Sequence, residues 1–356
     1  MSRFGFSRLW VTVLVGVLFA CSSGGSDGSM VGLGDGGNDT ETTSGSAYDD
    51  ECEGIDFPIA GHPPIFLIVL DRSGSMKLSQ AWDHAVESVS HFTSTMDQQC
   101  KFGLLLFPDG LKLCGQPPET PNVPVADINS VEIGEMLEGT APQGGGTPTT
   151  KALQHGYSYL IGLEDDNPKY VVLATDGAPN CSEDPTLTCE NGCVSSAETC
   201  NHDFVCLDDQ AAYAKVSEYH DNWGIDTYVL GLSGLDPQWE YVMSQLALCG
   251  GTGDFFPSDS PQQIKDALQG IAAENTECEF DVDWDSLDEG TSTDPELVNV
   301  EADGQEMSYS EDCANAEGWQ WLDDDTFELC QDLCHDYKWG MVQSIRASFG
   351  CATYVE

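Results

Sequence analysis

Ile65-Phe66-Leu67-Ile68-Val69-Leu70-Asp71-Arg72-Ser73-Gly74-Ser75 is the stretch that decides the fold. Six apolar residues without polar alternation predict a strand buried on both faces, which is the signature of a parallel sheet covered by helices. The pattern repeats down the chain. Residues 102–107, 170–175 and 225–230 read as further strands, and helical spacing or helix-start chemistry marks 78–96, 149–163, 207–220, 237–248 and 261–273. Pro108, Asp109 and Gly110 give turn chemistry before the short run 111–113, predicting an antiparallel edge hairpin, and 254–256 reads as a second edge strand. Alternating β and α of this kind predicts a doubly wound, mainly parallel α/β sheet.

Such sheets bind ligands in the crevice beyond the carboxyl ends of their strands, where loops from neighbouring strands converge. The informative polar residues fall there. Asp71, Ser73 and Ser75 leave the first strand, Asp176 and Gly177 follow the strand ending at Thr175, and Gly144-Gly145-Gly146-Thr147-Pro148-Thr149 precedes a helix. In that order, Asp-x-Ser-x-Ser, Gly-Gly-Thr-Pro-Thr and Thr-Asp-Gly resemble the metal-ion-dependent adhesion site of the von Willebrand factor A and integrin I-domain family, over about residues 56–274.

The resemblance implies that Ser73, Ser75 and Thr147 contact a metal through hydroxyls, with Asp71 and Asp176 contacting it directly or through water; Thr149 is the weaker choice of threonine. An all-oxygen donor set with few carboxylates suits Mg²⁺ or Mn²⁺, with Ca²⁺ as a further candidate, and leaves positions open for water or a ligand. In the family, an acidic side chain of the partner fills such a position. The implied function is therefore cation-dependent binding of a protein or matrix ligand, and not catalysis. The alternatives are an envelope protein whose metal only stiffens the fold, and a subunit accompanying an enzyme. Gly-x-Ser-x-Gly is absent, and none of the seven histidines has a local triad signature.

The amino-terminal residues read as targeting. Arg3 and Arg8 precede an apolar run of about a dozen residues, short of the ~20 that span a bilayer, and Leu18-Phe19-Ala20-Cys21 resembles the bacterial lipobox. Residues 1–20 are thus expected to be a lipoprotein signal peptide, with Cys21 the lipidated first residue of an exported protein; ordinary signal cleavage is the alternative. By resemblance to bacterial sorting signals, Ser22 favours the outer membrane or cell surface, with the periplasm still open. Residues 22–50 are rich in Gly, Ser, Asp and Thr and predict a flexible tether reaching on the order of 30 Å.

Lys and Arg total 12 against 61 Asp and Glu, a net charge of −49. That field repels nucleic acid and anionic lipid. No later apolar run is long enough to cross a membrane, so attachment is expected through lipid alone. The 15 cysteines predict disulfides in an oxidising compartment. Without Cys21 the remaining even number permits complete pairing: Cys52, Cys100, Cys114 and Cys249 in the body, five from Cys181 to Cys206, and five from Cys278 to Cys351. Each group of five must then send at least one bond outside itself. Cys100 and Cys114 bracket the expected hairpin and are predicted to pair.

The expected organisation is a domain over 51–277 with a Cys-rich insertion at 179–206 overhanging the ligand face, and a small disulfide-rich β module over 278–356. Asp281, Asp283 and Asp285 begin like an EF-hand loop but lack its Gly and bidentate Glu, so they read as an exposed strand face.

Overall fold

The computed structural model describes residues 55–57, 59–77, 80–110, 114–182, 207–284, 297–314, 317–349 and 355. The expected signal segment, Cys21, the expected tether and most of the expected insertion lie outside these residues. Among the described residues no helix is long and apolar enough to cross a membrane.

Two short strands, β1 (Ile55–Phe57) and β2 (Ile59–Gly61), precede β3 (Ile65–Asp71). A 3-10 turn (Gly74–Lys77) leads to α1 (Ala81–Thr95), β4 (Lys101–Phe107), β5 (Val123–Ala126), α2 (Ser130–Glu138), α3 (Thr149–Ile161) and β6 (Lys169–Thr175). Then follow α4 (Asp209–Trp223), β7 (Asp226–Leu232), α5 (Glu240–Cys249), β8 (Phe256–Ser258) and α6 (Pro261–Asn275). The carboxyl-terminal part adds β9 (Glu279–Val282), β10 (Val298–Ala302), β11 (Gln305–Met307), β12 (Trp319–Trp321), β13 (Thr326–Leu329), α7 (Gln331–Lys338) and β14 (Ile345–Phe349).

The main sheet has the order β5-β4-β3-β6-β7-β8, and all its pairings are parallel except β4 with β5. This is the doubly wound sheet expected. Every residue of β3 is buried, because side chains alternate between two covered faces. Phe66, Ile68 and Leu70 enter one core with Ala85, Val89 and Phe92 of α1 and Leu268 of α6; Ile65, Leu67 and Val69 enter the other with Leu153 and Tyr157 of α3. Each such aliphatic side chain contributes about 1.5–3 kcal/mol on burial, so the central strand alone anchors both layers. Helix starts follow the expected chemistry. Ser260 caps α6 through Gln263 N–H at 3.3 Å with Pro261 in the first turn, and the 3-10 turn Pro237–Trp239 opens into α5.

The expected edge hairpin at residues 111–113 lies outside the described set; among the described residues the strand antiparallel to β4 is β5 at Val123–Ala126. Pro124 is tolerated there because an edge strand leaves one row of its backbone groups unpaired within the sheet. Two expectations need correction. Cys100 does not pair with Cys114: Cys100 is buried beside Thr276, and Cys114 is bonded to Cys181. Nor is pairing complete, since Cys249 is also a free thiol. Burial pushes the Cys100 thiol up to about 12, so it behaves as an inert core residue.

The second region contains two four-stranded antiparallel sheets, β1-β14-β10-β11 and β12-β13-β9-β2. Its core is built on Trp319, Phe327 and Phe280, with Cys278–Cys334 and Cys313–Cys330 as staples. β1 and β2 come from before β3, so the strands of these sheets flank the α/β segment in sequence. The chain passes from β2 into β3 through residues 62–64 and returns from α6 to β9 through residues 276–278.

Candidate metal centre

β3 carries Asp71 to the carboxyl edge of the sheet, and β6 ends one residue before Asp176 on the neighbouring strand. Both carboxylates are buried, Asp71 completely and Asp176 at 5% exposure. One Asp71 oxygen accepts the Ser73 N–H at 2.7 Å, and the other lies 2.7 Å from the Thr175 hydroxyl, which donates to it. The Ser75 hydroxyl donates to Asp176 at 2.8 Å and stands 3.0 Å from the Ser73 hydroxyl. Asp71, Ser73, Ser75 and Asp176 therefore form one cluster of oxygens.

The third loop is locked against the first. Gln143 N–H donates to the Arg72 carbonyl at 2.7 Å, and a Cβ on Gly74 would stand 2.9 Å from the Gly144 carbonyl, so only glycine allows this approach. Thr147 is fixed by its backbone: its N–H donates to Asn180 Oδ1 at 2.6 Å, and Asn180 N–H donates back to the Thr147 carbonyl at 3.1 Å. The Thr147 hydroxyl has no hydrogen-bond partner among the described residues. Thr149 instead starts α3 and directs its hydroxyl to the Thr147 carbonyl. Thr175 and Asn180 are supports that the motif reading did not single out. Thr175 stands inside Thr-Asp-Gly, whereas nothing in the local sequence marks Asn180.

The cluster is electrostatically uncomfortable by itself. Burial, then the charge of Asp176, pushes Asp71 up to about 7, and burial pushes Asp176 up to about 6. Arg72 does not relieve them, since its guanidinium donates to the Pro108 carbonyl and to Asp109, each at 2.8 Å. Neither carboxylate pairs with a basic side chain among the described residues. No cluster of three or more His, Cys, Asp and Glu side chains suited to a metal occurs among them either, so any cation here would rely on two carboxylates plus hydroxyls. That donor set fits a hard divalent cation.

Cys114–Cys181 joins the loop beyond β4 to the loop beyond β6, beside the same edge. The expectation that the insertion is bonded to the body is met at Cys181. The rest of the expected overhang, residues 183–206, lies outside the described set.

Similar solved structures include the pilus adhesin SpaC from Lactobacillus rhamnosus GG, at 15% identity over 81% of this chain and 39% of that one, with a TM-score of 0.47. The vWF domain of the type V pili tip protein Mfa5 from Porphyromonas gingivalis is 14% identical over 60% and 94%, with a TM-score of 0.44. The manganese-loaded Plasmodium vivax TRAP protein is 12% identical over 61% and 76%, with a TM-score of 0.40. The chain thus spans well under half the length of SpaC. No curated protein matches it in sequence. Residues 66–178, which carry all three loops of the cluster, match the family model of the von Willebrand factor type A domain.

Proposed function

We propose that this chain is a divalent-cation-dependent binding module of the cell envelope, exported, held to the outer membrane or cell surface by lipid on Cys21, and not an enzyme. Asp71, Ser73, Ser75, Thr147 and Asp176 would hold Mg²⁺, Mn²⁺ or Ca²⁺. The observation that carries this reading is a pair of buried carboxylates clustered with the Ser73 and Ser75 hydroxyls, neither paired with a basic side chain among the described residues. Such an arrangement costs stability unless a cation joins it. A bound cation would neutralise the carboxylates and offer a coordination position to an acidic side chain of a protein or matrix ligand.

The chain's own residues do the positioning. Thr175 and the Ser73 N–H orient Asp71, Asn180 holds the Thr147 loop, and Arg72 ties the first loop to the loop beyond β4 while leaving the cluster anionic. Ser75 is exposed, so the cluster opens to solvent on its side.

Titration calorimetry of the mature protein with Mg²⁺ and Mn²⁺ tests the reading, with one binding event expected. Absence of any divalent-cation binding overturns it. Capture of an envelope or matrix protein that persists unchanged in chelator would leave the cation a structural role only. Mass analysis tests the anchor: an unmodified Cys21, or a mature chain starting elsewhere, removes the lipoprotein assignment.

A further inference from the structure

A groove of about 740 Å³ lies next to the candidate centre, between the start of α1 and the end of α2. Its links to the centre are short in sequence. Met76 directly follows Ser75, and Pro142 directly precedes Gln143, the residue whose N–H is bonded to the Arg72 carbonyl. Met76 and Leu137 are fully buried and Trp82 nearly so, which gives the groove a rigid apolar base. Its rim is different in character. Asp83 on α1 and Glu138 on α2 are exposed, and neither has an ion-pair or hydrogen-bond partner among the described residues. Glu87 also borders the groove but is engaged by Lys265 at 2.8 Å, and Lys77 is the one basic side chain lining it among the described residues.

We infer that this groove is a specificity subsite that receives a lysine or arginine side chain from a partner segment whose acidic residue reaches the candidate centre. The inference rests on the proposed cation-dependent reading. Volume in this range suits a side-chain or small-ligand site. The chemistry is that of a long aliphatic stem with a cationic head: the stem lies along Val86 and Pro142, and the head meets Asp83 and Glu138. The field of a chain with net charge −49 adds long-range attraction for a basic partner and repels one that is acidic throughout.

The test uses the full mature protein and a set of synthetic hexapeptides with one fixed aspartate, in which each other position carries arginine, lysine, norleucine or glutamate. Binding is measured in Mg²⁺ and in chelator. At one or more positions, arginine or lysine should raise affinity roughly three- to tenfold over norleucine, the size expected of two solvent-facing charge contacts. The double variant Asp83→Asn with Glu138→Gln should erase that preference while keeping Mg²⁺-dependent binding of the norleucine peptides. Lys77→Gln should enlarge it. Equal affinity for arginine and norleucine peptides, a preference surviving in the double variant, a preference for glutamate, or no peptide binding at all overturns the subsite. Binding of norleucine peptides that is indifferent to chelator, or no calorimetric binding of Mg²⁺, overturns the cation reading instead, so the two failures are told apart.

Discussion

The main sheet and the two small sheets solve the same problem by different means. In the main sheet, β3 is buried along its whole length between two helical layers, and none of the described disulfides lies within its core. In the small sheets the strands are three to five residues long, the buried set is much smaller, and two disulfides close loops of 56 and 17 residues in sequence separation. A small core contributes too little burial to hold short strands alone, and cross-links compensate by restricting the unfolded chain. The difference teaches that stability is carried by burial where the sheet is large and by covalent bonds where it is small.

That separation can be broken most severely at the centre itself. Asp176→Ala, or Ser73→Ala with Ser75→Ala, should abolish the calorimetric signal for Mg²⁺ and any cation-dependent capture, with circular dichroism unchanged, because loop residues at the strand ends add little to the core. A variant that loses its fold along with its cation would show that the edge and the core are not separable.

Removal of Cys278–Cys334 by a double serine replacement should cost about 2–4 kcal/mol in the small sheets. Tryptophan fluorescence should report it, since Trp319 and Trp321 lie in that core region, and the Mg²⁺ binding proposed for the main sheet should be unchanged. Loss of cation binding in this variant would contradict the independence of the two regions.

A smaller effect concerns pH. Asp71 and Asp176 are raised from 3.8 to about 7 and about 6 in the folded protein, so the neutral forms favour folding. Their stabilising contribution is complete below the unfolded value near 4 and is lost as pH rises through 6 to 7. The cation-free protein should therefore melt at a higher temperature at pH 5 than at pH 8. In saturating Mg²⁺ the trend should reverse, because protons then compete with the cation.

The smallest expected effect lies where the regions touch. Gln269 on α6 donates to the Trp339 carbonyl beside α7, and Gln269→Ala should cost only about 0.5–1.5 kcal/mol by chemical denaturation. A much larger loss would mean that the two parts unfold as one.

The four long strands and the three loops of the centre were legible because each is decided locally. Residues 65–70 can only be a doubly covered strand, and Asp-x-Ser-x-Ser supplies its donors within five residues. What was not legible depends on distant partners. β1 and β2 have no local signal for joining strands more than two hundred residues away, as Ile55 opposite Phe349 does. α2 was missed because Val131 and three glutamates weaken its apolar face, leaving Ile133 and Leu137 as its buried anchors. Cys100 misled because proximity to a turn says nothing about which sulfur points outward; its position under Thr276 removes it from exchange. The loop at Thr147 is marked by its run of glycines, whereas Asn180, the side chain that holds its backbone, carries no local signal.

The passage from β2 to β3 through residues 62–64 has a mechanical meaning. β3 enters the main sheet at the end opposite Asp71, and seven residues of strand separate the two ends by roughly 20 Å. A pull applied between an object gripped at the centre and chain preceding Ile55 is thus carried along β3 and into the pairings of β1 with β14 and β2 with β9. Those are three-residue pairings, far shorter than the seven-residue ladder between β3 and β4. Were the chain anchored before Ile55 and loaded at the candidate centre, as proposed, these short pairings should yield before the main sheet does.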